Sequence, residues 1–468
     1  MQKWFSALSL LFLCELASSQ IWDLQKCISH AFEKNLDIHV GQLQLAIAKN
    51  NQNQSKLDRL PSLSMDANHN YNLGRAIDPF TNTFSNQSIQ TNRFSLSSGI
   101  TLFNGFRINN NIRRQNLSYQ IAGSSLKVVK NNIALSVANA YLQVLFSIQQ
   151  KKIAQKQEER TNVQLNRIQK LYDAGVIDPS QILTLEAQLA QDQVNLVNAE
   201  NLIRSNYVRL KNLLQIPIEE NFSVLPPKSI EIEISTIESL TTIYQTAENQ
   251  MPQIELAKKQ AEQANLDIQL ARAAMLPTLS SFYSLQTVYS QSNKSITDFN
   301  PSFDSIGFVN STNDAVLVQR LNGTYMRTPY FDQLSNNLGQ SVGFSLRIPI
   351  FNQLSNRNRW QNAKIQAEIA EKNQENAKNT LRLNVAQAYT DYLNAAASLQ
   401  ASKENQRIQE KNYALIQQRF EAGLANSFDL LLAKNNLESV ISNNLRAQYD
   451  FLFRKLILDF YQGKPLKL

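Results

Sequence analysis

Alternating apolar and polar residues predict four β-strands. In the first strand, one face carries Leu63, Met65, Ala67, His69, Tyr71 and Leu73, and the other carries Ser64, Asp66, Asn68, Asn70 and Asn72. The same period covers residues 93–102, 279–290 and 341–350. Alternation over about ten residues is typical of a strand with one apolar and one wet face. A soluble sandwich would alternate in the same way, so this pattern alone leaves the surroundings of the strands open.

Apolar residues spaced three or four apart predict long helices after the strands. One stripe contains Val129, Ile133, Val137, Ala140, Tyr141, Val144 and Ile148. In the next helix Ile182, Leu189 and Leu196 recur every seven residues, which predicts supercoiling against neighbouring helices. No proline occurs from 104 to 172, and about seventy residues at about 1.5 Å each reach roughly 100 Å. Because this is about three times the hydrocarbon thickness of a bilayer, we expect the helices to stand away from a membrane.

The two halves of the chain repeat each other. The stretch LSVANAYLQVL at 135–145 reappears as LNVAQAYTDYL at 383–393, a separation of 248 residues. The Phe103-Asn104 and Ala174-Gly175 pairs recur at the same separation. Each half therefore predicts one unit of helix, strand, loop, strand, long helix, turn and long helix.

A short turn separates the two long helices of each half. In DAGVIDPSQ and EAGLANSFD, Gly175 and Gly423 can adopt the left-handed conformation that ends a helix. Asp178 and Asn426 then follow as N-caps of the next helices. Because both turns are short, we expect two antiparallel helical hairpins.

Composition and the N-terminus place the chain outside the cytoplasm. Lys3, the apolar run FSALSLLFLC and the small residues Ala17-Ser18-Ser19 predict a signal peptide cleaved before Gln20, with a buried first helix as the alternative. Asn and Gln make up roughly a fifth of the chain and the mean hydropathy is −0.33, which argues against a bundle of transmembrane helices. Cys27 alone remains after cleavage, so no intrachain disulfide is expected.

Four strands of this length cannot close a barrel, because small barrels need about eight. An open sheet in lipid would leave unpaired backbone groups, each costing several kcal/mol. Sharing strands among copies removes these edges. The predicted fold is mostly α with a transmembrane β-barrel portion: an internally duplicated chain gives four strands to a trimeric 12-stranded β-barrel that continues into a long α-helical barrel.

The order of these features resembles the TolC-like outer-membrane efflux proteins. The resemblance rests on the doubled strand pairs, the strand ends LFNG and IFNQ, the paired Ala-Tyr helices and the paired Ala-Gly turns. It implies a homotrimer in the outer-membrane lipid of a Gram-negative bacterium, with its helical barrel in the periplasm. Such a channel is the exit duct of a tripartite efflux or type I secretion system. It passes small molecules or proteins outward and works with a periplasmic adaptor and an inner-membrane pump.

The resemblance also predicts how the chain is divided. The expected parts are a signal peptide (1–19), an N-terminal equatorial helical region (20–60), a first β-hairpin of the barrel (61–103), a first long helical hairpin (104–215), a linker with equatorial helices (216–275), a second β-hairpin with a long external loop (276–351), a second long helical hairpin (352–463) and a tail (464–468). The external loops, 72–90 and 292–339, are expected to face outside. The second is either an unspecific surface loop or a segment that narrows the mouth or binds a partner.

The resemblance assigns adaptor docking to the two hairpin tips. These are Ala174, Gly175 and Val176, and Ala422, Gly423 and Leu424. The alternative is that the glycines only terminate helices.

The pore constriction is expected at Asp429, Phe420 and Asp178. Three copies of Asp429 would form a carboxylate ring that attracts cations, and the alternative is a capping role beside Asn426. Related gates carry a tyrosine and an arginine where this chain has Phe420 and Ala425, so we expect that hydrogen-bonded lock to be absent.

Other classes of function receive little support. His30, His39 and His69 form no metal-ligand spacing and no nucleophile or phosphate-binding motif occurs, so the chain is expected to have no enzymatic activity, cofactor or metal. The net charge of +8 is scattered over the helices and does not predict nucleic-acid binding. The alternative function is a non-conducting structural or adhesive coiled-coil protein of the envelope.

Overall fold

The structure, a computed structural model, describes residues 20–77, 82–86, 88–225 and 237–467. The expected signal peptide lies outside these residues. The chain divides into two compact units. The helical unit contains the described residues up to Asn50 together with Leu117–Ala264 and Ala367–Leu468, and the strand unit contains Asn51–Asn116 and Asn265–Gln366.

Helices dominate the described chain. They are α1 (Leu24–Lys34), α2 (Leu36–Leu57), α3 (Arg107–Asp173), α4 (Pro179–Leu214), α5 (Leu240–Gln250), α6 (Pro252–Ala273), α7 (Tyr330–Asn336), α8 (Ser355–Glu421) and α9 (Ser427–Tyr461). The first residues of α3 and α8 and their last residues are both separated by 248 positions, which agrees with the duplication. Within the described ranges, no helix combines the length and apolarity required to cross a membrane.

Ten strands occur in the described ranges. They are β1 (Gln20–Trp22), β2 (Ser62–Asn72), β3 (Ala76–Ile77), β4 (Phe84–Ser85), β5 (Ile89–Phe103), β6 (Phe222–Val224), β7 (Thr278–Ser290), β8 (Lys294–Phe308), β9 (Ala315–Arg327) and β10 (Gly339–Arg347). β1 lies in the segment predicted to be helical and pairs in parallel with β6. β3 pairs only with β4 among these strands.

The four predicted strands form one antiparallel sheet in the order β10–β7–β5–β2. Leu96 lies opposite Met65 on one side and Leu285 on the other, so the apolar positions of neighbouring strands meet on one face. The polar positions share the other face, as the alternation predicts. β2 and β10 are the edges of this sheet.

The fourth strand is shorter than the alternation predicts. β10 ends at Arg347, opposite Thr278, the first residue of β7. Pro349 has no N–H to donate, and Pro277 precedes the start of the partner strand. Ile350 therefore lies outside the sheet and is 94% exposed.

The segment 292–339, predicted as a loop, is instead largely folded. β8 and β9 pair with each other as an antiparallel ribbon, and α7 follows. The ribbon contains two irregularities in register, one between Ile296 and Asp298 and one between Ser305 and Gly307. Each adds a residue that shifts the alternation, so a strict period of two fails across the segment.

The duplicated helices bury equivalent positions in two hydrophobic cores of the helical unit. Val137 in α3 and the equivalent Val385 in α8 are both fully buried. One turn earlier, Ile133 and its equivalent Leu381 are also buried. The first core includes α1 and the end of α4, whereas the second includes α5 and the start of α6. The repeated LSVANAYLQVL pattern thus provides one packing stripe for each half.

A buried ionic cluster joins the two helical hairpins. Lys434 of α9 donates a hydrogen bond to the hydroxyl of Thr161 in α3, which in turn donates to Asp192 of α4. Lys434 Nζ also lies 3.3 Å from Asp192 Oδ2 and 3.4 Å from Glu438 Oε1. All four residues are at least nine-tenths buried.

The two carboxylates of the cluster are not equally compensated. Gln188 donates a further hydrogen bond to Asp192 Oδ1 at 2.8 Å, whereas Glu438 Oε1 is buried without a hydrogen-bond partner. Burial raises the pKa of Glu438, the charge of Asp192 adds to the rise, and the nearby Lys434 opposes it. Lys434 and Asp192 therefore form the main pair, and Glu438 is the member whose charge is poorly compensated.

Replacing Lys434 with methionine should destabilise the helical unit by about 3–5 kcal/mol, because Asp192 would keep a buried, uncompensated charge. Lys411→Met on the exposed surface of α8 is the matched control and should change stability by less than about 0.5 kcal/mol. Denaturant unfolding followed by circular dichroism measures both. Equal stability of the two variants would contradict a buried charge on Asp192 that depends on Lys434.

Glu438→Gln should have an effect that depends on pH. A raised folded-state pKa means that the contribution of Glu438 to stability is fully present below its unfolded pKa, about 4.3, and is lost as pH rises through the folded value. The variant and wild type should therefore unfold at similar temperatures near the acidic limit, and the variant should be the more stable at pH 8. Thermal unfolding of both proteins across this pH range shows whether the variant is more or less stable than wild type. A less stable variant at pH 8 would show that attraction to Lys434 outweighs the cost of burial.

Candidate functional site

The two hairpin tips share one backbone geometry. Gly175 and Gly423 have φ values of +74° and +72°, in the left-handed region that favours glycine. Gly175 donates to the carbonyl of Tyr172 at 2.8 Å, and Val176 donates to that of Leu171 at 3.0 Å. These two bonds form a Schellman motif, which satisfies the last carbonyls of α3.

The second tip repeats the motif at the end of α8. Gly423 donates to the carbonyl of Phe420 at 3.0 Å, and Leu424 donates to that of Arg419 at 2.8 Å. A Cβ atom added to either tip glycine would meet no atom within 4 Å. The glycines are therefore required by the backbone conformation, and open space lies in front of both.

Both tips expose apolar side chains. Val176 is 68% exposed and Leu424 is 70% exposed, at equivalent positions of the two halves. In the second tip Phe428 and Leu432 follow Leu424 at intervals of four, and both are exposed. Since Phe428 and Leu432 lie one turn apart on α9, the second tip presents a larger apolar surface than the first.

The N-caps after the tips differ in charge. Asp178 accepts the backbone N–H of Ser180 at 2.8 Å, and hydrogen bonds from the side chain and backbone of Ser180 lower its pKa. Asn426 accepts the backbone N–H of Asp429 at 2.8 Å. The α9 cap is thus made by the Asn426 side chain, and the exposed carboxylate of Asp429 stands in the first turn of the helix, where its charge is favourable to the helix dipole.

Phe420 is the third residue expected at the constriction. It lines a cavity of about 150 Å³ with Ile168, Leu185 and Leu430, between the two helical hairpins. Neither Asp178 nor Asp429 lines this cavity. The structure therefore places the six tip residues at two equivalent turns, Asp178 and Asp429 at the helix starts that follow them, and Phe420 in the last turn of α8.

The buried cluster of Lys434, Asp192, Thr161 and Glu438 was missed in the sequence. One signal for it exists. Asp192 follows Leu185 by seven residues, and Lys434 lies four residues after Leu430, so both charges fall within apolar stripes. A charged residue on such a stripe requires a buried partner, although the sequence does not tell which one.

Comparisons with solved structures reveal the same fold in several outer membrane channels. CusC matches with a TM-score of 0.75 and 15% identity, over 94% of this chain and 92% of that one. VceC from Vibrio cholerae matches with a TM-score of 0.73 and 14% identity, over 95% and 96%. MtrE from Neisseria gonorrhoeae, in its open state, matches with a TM-score of 0.70 and 18% identity, over 95% and 89%.

The family comparison extends this result to the sequence. No curated protein sequence matches the chain. The family model described as outer membrane efflux protein matches residues 27–214 and 243–463, which include both helical hairpins and both strand pairs. The family and the matched structures are channels rather than enzymes. The chain therefore belongs to the outer membrane efflux protein family, and it is an outer membrane channel with a helical portion in the periplasm.

Proposed function

We propose that three copies of this channel form the exit duct of a tripartite efflux or type I secretion system. The observation that carries the trimer is the pair of open edges, β2 and β10, on a sheet of only four strands. Pairing β2 of one copy with β10 of the next would close a twelve-stranded barrel and satisfy both edges. The two helical hairpins of each copy would supply twelve long helices to the periplasmic tube.

The exposed face of the sheet suits outer-membrane lipid. Both edge strands expose large apolar side chains, which are Leu63, Met65, Val342, Phe344 and Leu346. The charged residues Asp66, Arg93 and Arg347 alternate with apolar neighbours and lie on the opposite face. A barrel with this face outward places its charges toward a wet lumen.

The hairpin tips are proposed to dock a periplasmic adaptor, which joins the duct to an inner-membrane pump. Ala174, Gly175, Val176, Ala422, Gly423 and Leu424 form two equivalent turns whose apolar side chains are uncovered within one chain. The larger apolar surface at Leu424, Phe428 and Leu432 makes the second tip the stronger candidate. Exposed apolar clusters of this kind mark sites of protein association.

The constriction is proposed to rest on Asp429, with Asp178 at the equivalent helix start. Three exposed Asp429 carboxylates around one axis would favour the passage of cations. Phe420 would contribute by packing between the hairpins, given its place in the cavity with Leu430. The family match favours this duct over the alternative of a non-conducting envelope coiled coil.

Leu424→Asp should weaken adaptor binding at least about tenfold, because a carboxylate would be placed in an apolar contact without a partner. Substitution of Gly423 would be less informative, since its φ of +72° makes any side chain strain the turn. Leu383→Asp is the matched control, since Leu383 has nearly the same exposure and lies far along α8. Adaptor pull-down and export of dyes or antibiotics are measured in variants that assemble normally. Equal binding by both variants would contradict tip docking.

Asp429→Asn should reduce the cation selectivity of single channels in planar bilayers several-fold without abolishing conduction. Asn426→Ala is the control. It removes the α9 cap, at a cost of about 1 kcal/mol, and keeps the carboxylate. An unchanged selectivity in Asp429→Asn would exclude the ring, whereas a selectivity change in Asn426→Ala alone would indicate that the helix start, rather than the charge, sets the constriction.

A further inference from the structure

The β8–β9 ribbon is an extended two-stranded structure without a third strand. Its register runs from Lys294 opposite Arg327 to Phe308 opposite Ala315, and neither strand pairs with another described strand. Fifteen residues in β8 at about 3.3 Å each give a length of roughly 50 Å. A lone two-stranded ribbon is marginally stable in water, so a partner is expected.

One side of the ribbon is apolar. Its register places six large side chains on this side, here called the ribbon's apolar face: Ile296, Phe299, Phe303, Phe308, Leu317 and Tyr325. Each is between 42% and 67% exposed. Gly323 lies on the same face, where Ile296 crosses it so closely that a Cβ at this position would come within 2.8 Å of the isoleucine side chain.

The opposite side is mostly polar and is satisfied within the ribbon. Asn322 donates to the hydroxyl of Ser302 at 2.8 Å. Arg320 pairs with Asp304 at 3.4 Å. The two faces therefore differ as in an amphipathic sheet, with one face suited to water and the other lacking a cover.

The base of the ribbon is held against the sheet by α7. Gln333, which is fully buried, accepts the N–H of Ser290 at 3.0 Å and donates to the carbonyl of Thr328 at 2.8 Å. Thr328 donates to Asn293 across the base at 3.2 Å. These bonds connect the end of β7 to both strands of the ribbon, so the direction of the apolar face is set by the sheet.

The ribbon is also continuous with the open edge of the sheet. β9 leads through α7 into β10, the edge strand at which the proposed assembly joins the next copy. The ribbon follows the C-terminal end of β7. The strand ends that lead into α3 and α8 lie at the opposite end of the sheet. In the proposed trimer, three ribbons would therefore stand at the outer end of the barrel, each rooted beside a junction between copies.

We propose that the ribbon's apolar face packs against the ribbons of the other two copies and forms a collar at the outer mouth of the channel. This inference rests on the proposed trimer. Four aromatic side chains of about 200 Å² each, more than half exposed, offer roughly 400–500 Å² per copy, and Ile296 and Leu317 enlarge this area. Divided between two neighbours, this area is smaller than the roughly 800 Å² per partner of a standard interface, so the collar would add to the strand pairing of the barrel and would not hold the copies together alone.

The charges of the ribbon favour another copy over the lipid surface as the occupant. Lys294, Arg320 and Arg327 are balanced by three aspartates of the same segment, Asp298, Asp304 and Asp314. Arg320 is already paired with Asp304. Attachment to an anionic lipid surface depends on an excess of Lys and Arg, which this neutral segment lacks.

The test is cysteine cross-linking in the protein exported by intact cells, with Cys14→Ser and Cys27→Ser removing both native cysteines. Phe303→Cys places a thiol on the apolar face, and Ser302→Cys places one on the adjacent residue of the polar face. With a short bifunctional maleimide, Phe303→Cys should give about tenfold more interchain product than Ser302→Cys, because the assembly holds the thiols at a high effective concentration. A maleimide attached to a large polyethylene glycol chain, which is too bulky to enter a packed interface, should label Ser302→Cys readily and Phe303→Cys slowly, whereas the short cross-linker reaches both thiols.

The outcomes separate this proposal from the trimer itself. Native mass spectrometry first verifies that the variant is trimeric. If such trimers are labelled freely at Phe303→Cys and give no cross-link, the collar is overturned and the proposed duct is left intact. Protection of Phe303→Cys without an interchain product would also overturn it, in favour of lipid or a different protein. Absence of trimers in the wild type would overturn both proposals.

As a second measurement, Phe299→Ser with Phe303→Ser should increase single-channel conductance and the entry of large antibiotics several-fold. Asn300→Ser with Ser302→Ala on the polar face is the control and should change neither. Unchanged conductance and antibiotic entry in the apolar-face variant would contradict a collar at the mouth.

Discussion

Unpaired backbone groups at the edges of the four-stranded sheet are the constraint on which the rest of the molecule depends. β2 and β10 each present one row of N–H and C=O groups that no other strand of the described chain satisfies. In hydrocarbon such groups are costly, and a sheet of four strands is too narrow to curl onto itself. The duplication gives each copy two equivalent strand pairs, so that a barrel can be completed by few copies. In the proposed trimer the apolar face of the sheet meets lipid, and the polar face lines a path for cargo.

The helical unit meets a different constraint, since long helices with narrow apolar stripes can slide relative to one another. Each half buries the same stripe, with Val137 and Val385 at equivalent places. The cluster of Lys434, Asp192 and Thr161 lies where the two hairpins meet. The positions 248 residues away carry different residue types, so the duplication does not repeat this cluster. A buried ion pair contributes little net stability, but it penalises every arrangement in which one charge loses its partner. The cluster therefore specifies how α9 lies against α3 and α4.

The sequence predicted much of the fold because its main signals are local. The four strands follow from alternation, and the tips follow from glycine in the left-handed conformation. The fourth strand was predicted too long because Pro349 interrupts the pairing while the apolar alternation continues. The β8–β9 ribbon was predicted as a loop because two bulges shift the alternation, although Phe299 and Phe303 still lie on one face. Asp429 lies in the first turn of α9, as the turn pattern predicts, and its role in a constriction with Phe420 and Asp178 stays a prediction.

The duplication, the order of strands and helices, the two glycine turns and the family could all be read from the sequence, since each depends on residue spacing or on the backbone preference of one residue. Which distant residues meet became clear only in the folded chain. Lys434 and Asp192 are 242 residues apart, and Gln333 joins the end of β7 to the base of the ribbon. Periodicity shows that a side chain will be buried, but the identity of its partner depends on how whole elements pack. The register of two strands likewise depends on every bulge between them, which is why the apolar face of the ribbon became visible only in the folded chain.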